Sequence, residues 1–354
     1  MAAAQIDEAC KYDTGKDSGR IGRSRGCELR IFGAISGSGV ATTAAIGGVM
    51  GPEMVKKGYG KGFTASILVG AGALGIVILP SLSMVVYGTS GSVSIGDLFL
   101  AGIIPGILTV AFLVILAVII GKKRGYRGAE GRLTAGDRVK IFIDALLPLF
   151  MPVIILGGVL SGVITPTESA VIAVVYAFIL AMFVYKELKL KDIVNICTSS
   201  AISSAIILFI MSTAAPFGWI MATQNIPELI ANVLLSISRN PTVIYLLIIL
   251  LLLFLGTFME TNSTIILLTP ILLPLVTSLG MDLIHFGISM ILNLAIGGAT
   301  PPLAVCLFTS TRILKIRVED TFPDILYVCG TMVLALLLVV LIPQLSLFLP
   351  SVLK

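Results

Sequence analysis

Five uncharged apolar runs, at residues 98–120, 145–163, 200–222, 243–259 and 325–349, constrain this chain more than any other feature. Each is long enough to approach or cross a hydrocarbon core of about 30 Å, which takes roughly 20 helical residues. In lipid every backbone N–H and C=O must find a partner within the protein, so runs of this length become α-helices. A hydrophobic content of 57%, only 12% charged residues and a mean hydropathy of +1.07 agree with an all-α polytopic membrane protein. The same composition argues against several functions. The net charge of +5 sits in short basic blocks between apolar segments, which reads as membrane topology rather than a nucleic-acid surface. Cys10, Cys27, Cys197, Cys306 and Cys329 follow no metal or redox spacing, and His285 is the sole histidine, so a His/Cys metal site is not expected. The sequence carries no GxSxG, HExxH or P-loop motif, and it is not read as an enzyme or an ATP-driven pump.

Basic residues orient the segments, because cytoplasmic loops carry an excess of Lys and Arg. With the block "KKRGYRGAEGRLTAGDRVK" (122–140) inside, the threading places sixteen Lys and Arg inside, in blocks at 56–61, 122–140, 186–191 and 312–317. Arg239 and Lys354 lie outside, with the C-terminus periplasmic. This requires the segment 241–276 to enter and leave on the outer side. Its middle, "GTFMETNST" (256–264), holds Glu260, Thr261, Asn262, Ser263 and Thr264 at a depth that lipid would not tolerate, so the segment is expected to be a re-entrant hairpin with a protein-lined tip.

The segment after "SGSG" (36–39) resembles the segment after "ETNST" (260–264). Each has a small polar tip, an apolar arm, a Gly turn followed by Phe, and then a helix broken by Gly and Pro. Phe63 corresponds to Phe286 and Pro80 to Pro302, with opposite orientations, which predicts an inverted repeat. A broken helix exposes carbonyls at one half-helix end and amides at the other, so one site can hold a cation beside an anion. The candidate cation (Na+) ligands are Ser36, Gly37, Ser38 and Gly39 at the first tip, and Gly75 and Pro80 at the first break. In the second repeat they are Thr261, Asn262 and Ser263 at the tip, with Gly297 and Thr300 at the break. Ser38, Ser81, Asn262, Thr300 and Pro301 are the candidate substrate contacts. For any single small residue, close helix packing is the competing explanation. Glu260 is an ion ligand, a proton carrier or a helix cap, while Glu168, following Pro166, reads as a first-turn partner of a Thr165 cap. Trp219 reads as an interfacial anchor or packing residue.

At "FGAISGSGVATTAAIGGVMGPEMVKKGY", "LPSLSMVVYG", "LFLAGIIPG", "GVITPTESAVIAVVYA", "FMETNSTIILLTPILLPLV" and "HFGISMILNLAIGGATPPLAVCLF" the chain resembles the large permease subunit, DctM type, of tripartite ATP-independent periplasmic (TRAP) transporters. The resemblance runs in family order over about residues 31–354. It implies a bacterial inner-membrane elevator of the ion-transporter superfamily that imports an organic acid, such as a C4-dicarboxylate, by Na+ symport, with Na+ as coupling ion and no other cofactor. It also implies a small four-helix membrane subunit (DctQ type) and a periplasmic substrate-binding protein (DctP type) as partners, and no nucleic acid. The tip residues 36–39 and 259–263 and the breaks 75–81 and 297–302 match the family's ion-site elements.

Residues 1–30 depart from the family pattern, being polar and without a spanning segment. They are expected to be a truncation or frameshift scar that leaves the first repeat, 31–124, incomplete. A basic cytoplasmic loop (125–140) and a second repeat (141–354) follow, the latter with hairpin 241–276, broken helix 286–311 and final helix 325–349. Two other functions stay open at this point: a Na+/carboxylate symporter that needs no binding protein, and a non-functional, structural or channel-like truncated subunit.

Overall fold

The computed structural model describes residues 37–78, 80–126, 147, 150–185, 188–237, 240–302 and 304–353. Ser36, the segment 1–30 and most of the basic loop 125–140 lie outside them. The described residues form helices and contain no strand. In chain order these are α1 (Gly39–Lys56), α2 (Lys61–Val77), α3 (Leu82–Gly91), α4 (Ile95–Lys123), α5 (Phe150–Leu160), α6 (Pro166–Ile179, ending in a π turn Leu180–Val184) and α7 (Leu190–Thr223). They continue with α8 (Ile226–Ile237), α9 (Pro241–Gly256), α10 (Thr261–Ser278), α11 (Leu283–Gly297), α12 (Val305–Leu314), α13 (Asp324–Leu341) and α14 (Gln344–Val352). Several are long and apolar enough to span a membrane, among them α4, α7 and α13, and the chain is a multi-pass membrane protein.

Local chemistry accounts for the boundaries. At α6, Pro166 occupies the first turn, where its missing N–H costs nothing. Thr165 Oγ1 accepts from the Glu168 N–H (3.3 Å) while the Glu168 carboxylate accepts from the Thr165 N–H (2.7 Å), a reciprocal cap. Glu168 is therefore structural in this fold. The expected final helix 325–349 is instead two helices. Pro343 cannot donate to the preceding turn and its ring excludes the helical carbonyl, so α13 stops at Leu341, Ile342 leaves the helical region (φ −123°, ψ 83°), and α14 starts at Gln344. The run expected to start at 200 begins at Leu190, one polar turn after another being carried into α7.

The segments α1–α3 and α10–α12 follow the same element order. α1 and α10 each have 18 residues, and α3 and α12 each have 10. α2 and α3 are bent by 41° at their break. Ser310 Oγ on α12 donates to Ala65 O near the start of α2 (3.0 Å), while Tyr87 Oη on α3 donates to Leu283 O at the start of α11 (2.7 Å). Each broken helix thus ends beside the start of the other, which is what an inverted pair requires.

One end of the molecule gathers charge. There the Arg124 guanidinium pairs with both carboxylate oxygens of Asp324 (Nη1–Oδ2 2.8 Å) and lies over the Phe63 ring, and Tyr126 Oη accepts from the Gly60 N–H (3.1 Å). Lys56, Lys122, Lys123 and Arg312 end α1, α4 and α12 at this same side. The core between the ends is apolar, with Tyr87, Phe286, Met84, Leu98 and Ile291 fully buried. Lipid tails are as apolar as these side chains, so cohesion rests on close packing rather than on transfer from water. Gly287 on α11 lies directly against the Tyr87 ring, a contact no larger residue allows.

Candidate functional site

The tips and breaks meet at mid-molecule, and they meet across the repeats. At the first tip Gly37 is buried in a left-handed conformation (φ +60°); a Cβ there would lie 3.1 Å from Pro80 O and 3.3 Å from Leu82 N. Glycine is therefore what lets the tip rest on the break between α2 and α3. Ser38 caps α1, its carbonyl accepting from the Thr42 N–H (2.9 Å). A Cβ on Gly39 would lie 2.9 Å from Ile76 Cδ1 and 3.1 Å from Cys306 Sγ, so the start of α1 touches the start of α12. Gly75 is pressed against Thr42, and Ser81 Oγ donates to Ile76 O, closing the break on itself.

At the second tip Glu260 is the N-cap of α10. Its carboxylate accepts from the Ser263 N–H (2.9 Å), Ser263 Oγ (3.1 Å) and Asn262 Nδ2 (3.1 Å). The capping alternative raised by the sequence is thus realised, and a carboxylate beside a helix N-terminus is also electrostatically favoured. Asn262 Oδ1 accepts from Ser83 Oγ on α3 (2.9 Å), which ties the second tip to the first repeat. Because α2 starts at the charged end and α3 leads to the opposite one, this contact puts the tip at the depth of the break.

The second break runs from Gly297 through cis Pro301–Pro302 to Ala304. A Cβ on Gly297 would lie 2.5 Å from the backbone of Gly256, so the C-terminal ends of α9 and α11 abut. Thr300 is placed differently from the rest. Its hydroxyl donates to Ile296 O (2.8 Å) and lies 3.6 Å from Cys329 Sγ, facing an open apolar groove of about 740 Å³ with Leu250, Phe254 and Gly330. Pro301 is half-buried and Thr261 is buried.

The helix ends give the site its electrostatic character. The N-termini of α1 and α12 meet at Gly39 and Cys306, and those of α3 and α10 meet at Ser83 and Asn262. Four helix N-termini, each with a partial positive charge, therefore converge in two pairs, each pair drawn from both repeats, and that of α10 already faces the Glu260 carboxylate. The abutting C-termini of α9 and α11 present carbonyl dipoles of opposite sign. Such an arrangement can hold an anion next to a small hard cation. Ser83, Gly256 and Cys306 were not singled out by sequence. Ser83 lies two residues beyond the stretch read as the break, and Gly256 adjoins the second tip. Cys306 reads as an ordinary buried thiol until its neighbour Gly39 is known.

The family model for the tripartite ATP-independent periplasmic transporter, DctM component, matches residues 26–345. The isethionate TRAP transporter permease protein DctMQ of Oleidesulfovibrio alaskensis is 41% identical over 318 residues, covering 90% of this chain and 50% of that protein. The C4-dicarboxylate TRAP transporter large permease protein DctM of Rhodobacter capsulatus is 35% identical over 349 residues, covering 95% of this chain and 79% of that protein. For the sialic acid TRAP transporter large permease protein SiaM of Vibrio cholerae the identity is 36% over 347 residues, with 98% and 81% covered. The chain thus spans half the length of the isethionate relative and about four fifths of the other two.

Proposed function

This chain belongs to the DctM family of tripartite ATP-independent periplasmic transporters, and from that premise we propose that it is the membrane component of a Na+-coupled importer of organic acids. In this reading the acid is delivered by a periplasmic binding protein, and a small membrane subunit stands beside the chain in the inner membrane, with the charged end facing the cytoplasm. The observation that carries the reading is the cross-repeat pairing of helix N-termini, Gly39 with Cys306 and Ser83 with Asn262. At Gly39 and Cys306 it supplies a positive dipole field for a carboxylate, while at Ser83 and Asn262 Glu260 already faces the α10 N-terminus; the Gly256–Gly297 carbonyl ends are available to a cation. Relatives named for isethionate, C4-dicarboxylates and sialic acid are 41%, 35% and 36% identical to this chain. That favours a permease that recognises the anionic group and leaves selectivity to the binding protein.

Proteoliposomes containing the chain, its small subunit and a purified binding protein test the proposal. Uptake of the acid is expected to require both an inward Na+ gradient and the binding protein. Uptake that persists without the binding protein would replace this reading with a binding-protein-independent symporter. Absence of saturable uptake with every component present would leave only a structural role.

A further inference from the structure

The charged end is assembled from three stretches that the fold brings together. Lys56, Lys57 and Lys61 lie at the turn between α1 and α2, Lys122, Lys123 and Arg124 close α4, and Arg312, Lys315 and Arg317 lie at the end of α12 and in the link to α13. Packing beneath them is aromatic and apolar. The rings of Tyr59, Phe63 and Tyr126 have centroids between 4.7 and 6.3 Å apart, which clamps the α1–α2 turn to the end of α4. Leu314 and Ile316 pack with Ile46, Met50 and Val55, which sets the end of α12 against α1.

All nine cations are exposed, and few have a counter-charge. Among the described residues Arg124 pairs with Asp324 and Lys56 with Glu53, while the other seven form no ion pair. Asp320 is beside them, but its carboxylate accepts from the Arg317 N–H (2.9 Å). Like charges gathered on one surface repel one another, and an anion seated among them relieves the repulsion. Depth identifies the anion. α4 has 29 residues. At 1.5 Å per residue it is about 43 Å long against a hydrocarbon core of about 30 Å, so its last turn reaches the headgroup layer. Phe322 and Tyr327, 46% and 51% exposed, flank the start of α13 as interfacial rings do. The opposite end places Asp97, Glu168 and Asp282 at the starts of α4, α6 and α11, so the two ends differ in sign.

We propose that this end is a docking surface for anionic phospholipid headgroups of the leaflet it faces, their phosphates seated between the end of α4, the α1–α2 turn and the α12–α13 link. The partner is a bilayer lipid of net negative charge, held by charge and by depth rather than by a pocket. Headgroups seated there tie the end of α4 to the link that leads into α13. The proposal uses the fold alone and stands apart from the transport reading above.

The full chain in phosphatidylcholine vesicles with a trace of spin-labelled lipid tests it, because electron spin resonance reads the fraction of label immobilised on the protein. Spin-labelled phosphatidylglycerol is expected to be immobilised roughly two- to fivefold in preference to spin-labelled phosphatidylcholine, about fivefold being the effect of one cation beside an anionic lipid surface. At about 1 M NaCl, where screening acts within about 3 Å, most of the preference is expected to vanish. Equal immobilisation of the two labels at low salt would overturn the proposal and leave these cations to a soluble acidic partner. In the variant Lys122→Gln, Lys123→Gln, Lys315→Gln, Arg317→Gln, whose exposed side chains leave the packing intact, the preference is expected to fall to near one. An undiminished preference would overturn the proposal by placing the anionic lipid elsewhere on the chain. Lys189→Gln, Lys191→Gln, equally exposed, is expected to keep the preference. An equal loss there would overturn the proposal too, by tracing the effect to net charge.

Discussion

At Gly297 a single hydrogen atom decides whether two helices touch. A Cβ there would meet the Gly256 backbone, which cannot swing aside as a side chain can. Gly297→Ala is expected to cost about 1–3 kcal/mol of stability through overpacking, read as a lower Tm in detergent. Gly48→Ala, where nothing lies within 4 Å, is the control and is expected to leave Tm unchanged or raised, since alanine is the better helix former. At the second tip, Ser83→Ala removes one hydrogen bond to Asn262. If the site binds Na+, the loss of about 0.5–1.5 kcal/mol appears as a roughly two- to tenfold rise in the Na+ concentration for half-maximal uptake. An unchanged Na+ dependence would remove Ser83 and Asn262 from the site. Asn262 was legible in the sequence because an amide inside an apolar run demands an explanation. Ser83 was not, because a lone serine in a membrane helix is ordinarily a packing residue and its partner lies 179 positions away.

At the scale of elements, the helix ends matter more than the helices. α3 and α10 are held together at their N-termini through Ser83 and Asn262. A Ser83→Cys, Asn262→Cys pair in a background free of the five native cysteines is expected to form a disulfide on oxidation, given how closely these side chains approach. In an elevator whose second tip must leave α3 to exchange substrate, that bridge stops uptake and reduction restores it; full uptake by the oxidised protein would show that this contact does not open. The helix ends at Gly256 and Thr261 and the breaks after α2 and α11 were legible from glycine, proline and polar residues interrupting apolar runs. The break at Pro343 follows from the same rule but is masked in the sequence by apolar residues on both sides.

For the molecule as a whole, the ends are distinguishable. Arg124 and Asp324 join the end of α4 to the start of α13, with the Asp324 side chain only 8% exposed. Removing the Asp324 charge breaks a two-point, charge-assisted pair and leaves Arg124, 35% exposed, without its counter-charge. Asp324→Asn is therefore expected to lower Tm clearly more than Glu53→Gln, whose Lys56 partner is 75% exposed. Orientation has its own measurement. With Lys123→Cys and Asn240→Cys in the cysteine-free background, a membrane-impermeant maleimide is expected to label Cys at 123 only from the cytoplasmic side and Cys at 240 only from the periplasmic side. The reverse pattern would invert the threading.

The sequence alone determined that this chain lives in a bilayer, that it is helical, and that helices break at Gly75–Pro80 and Gly297–Pro302, though not that one breaks at Pro343. Those are local consequences of run length, of charge, and of the inability of Pro and exposed polar backbone to sit in lipid. It also carried the inverted repeat, because similar spacing around the two tips is a one-dimensional pattern. Only the tertiary structure decided that α1 meets α12 and α10 meets α3, that Thr300 turns toward Cys329 rather than the tips, and that the cations of three separate stretches pack into one surface. Such pairings depend on which faces of distant helices pack together. Helix faces in a membrane are chosen by shape and by a few hydrogen bonds rather than by a hydrophobic stripe that a sequence would display.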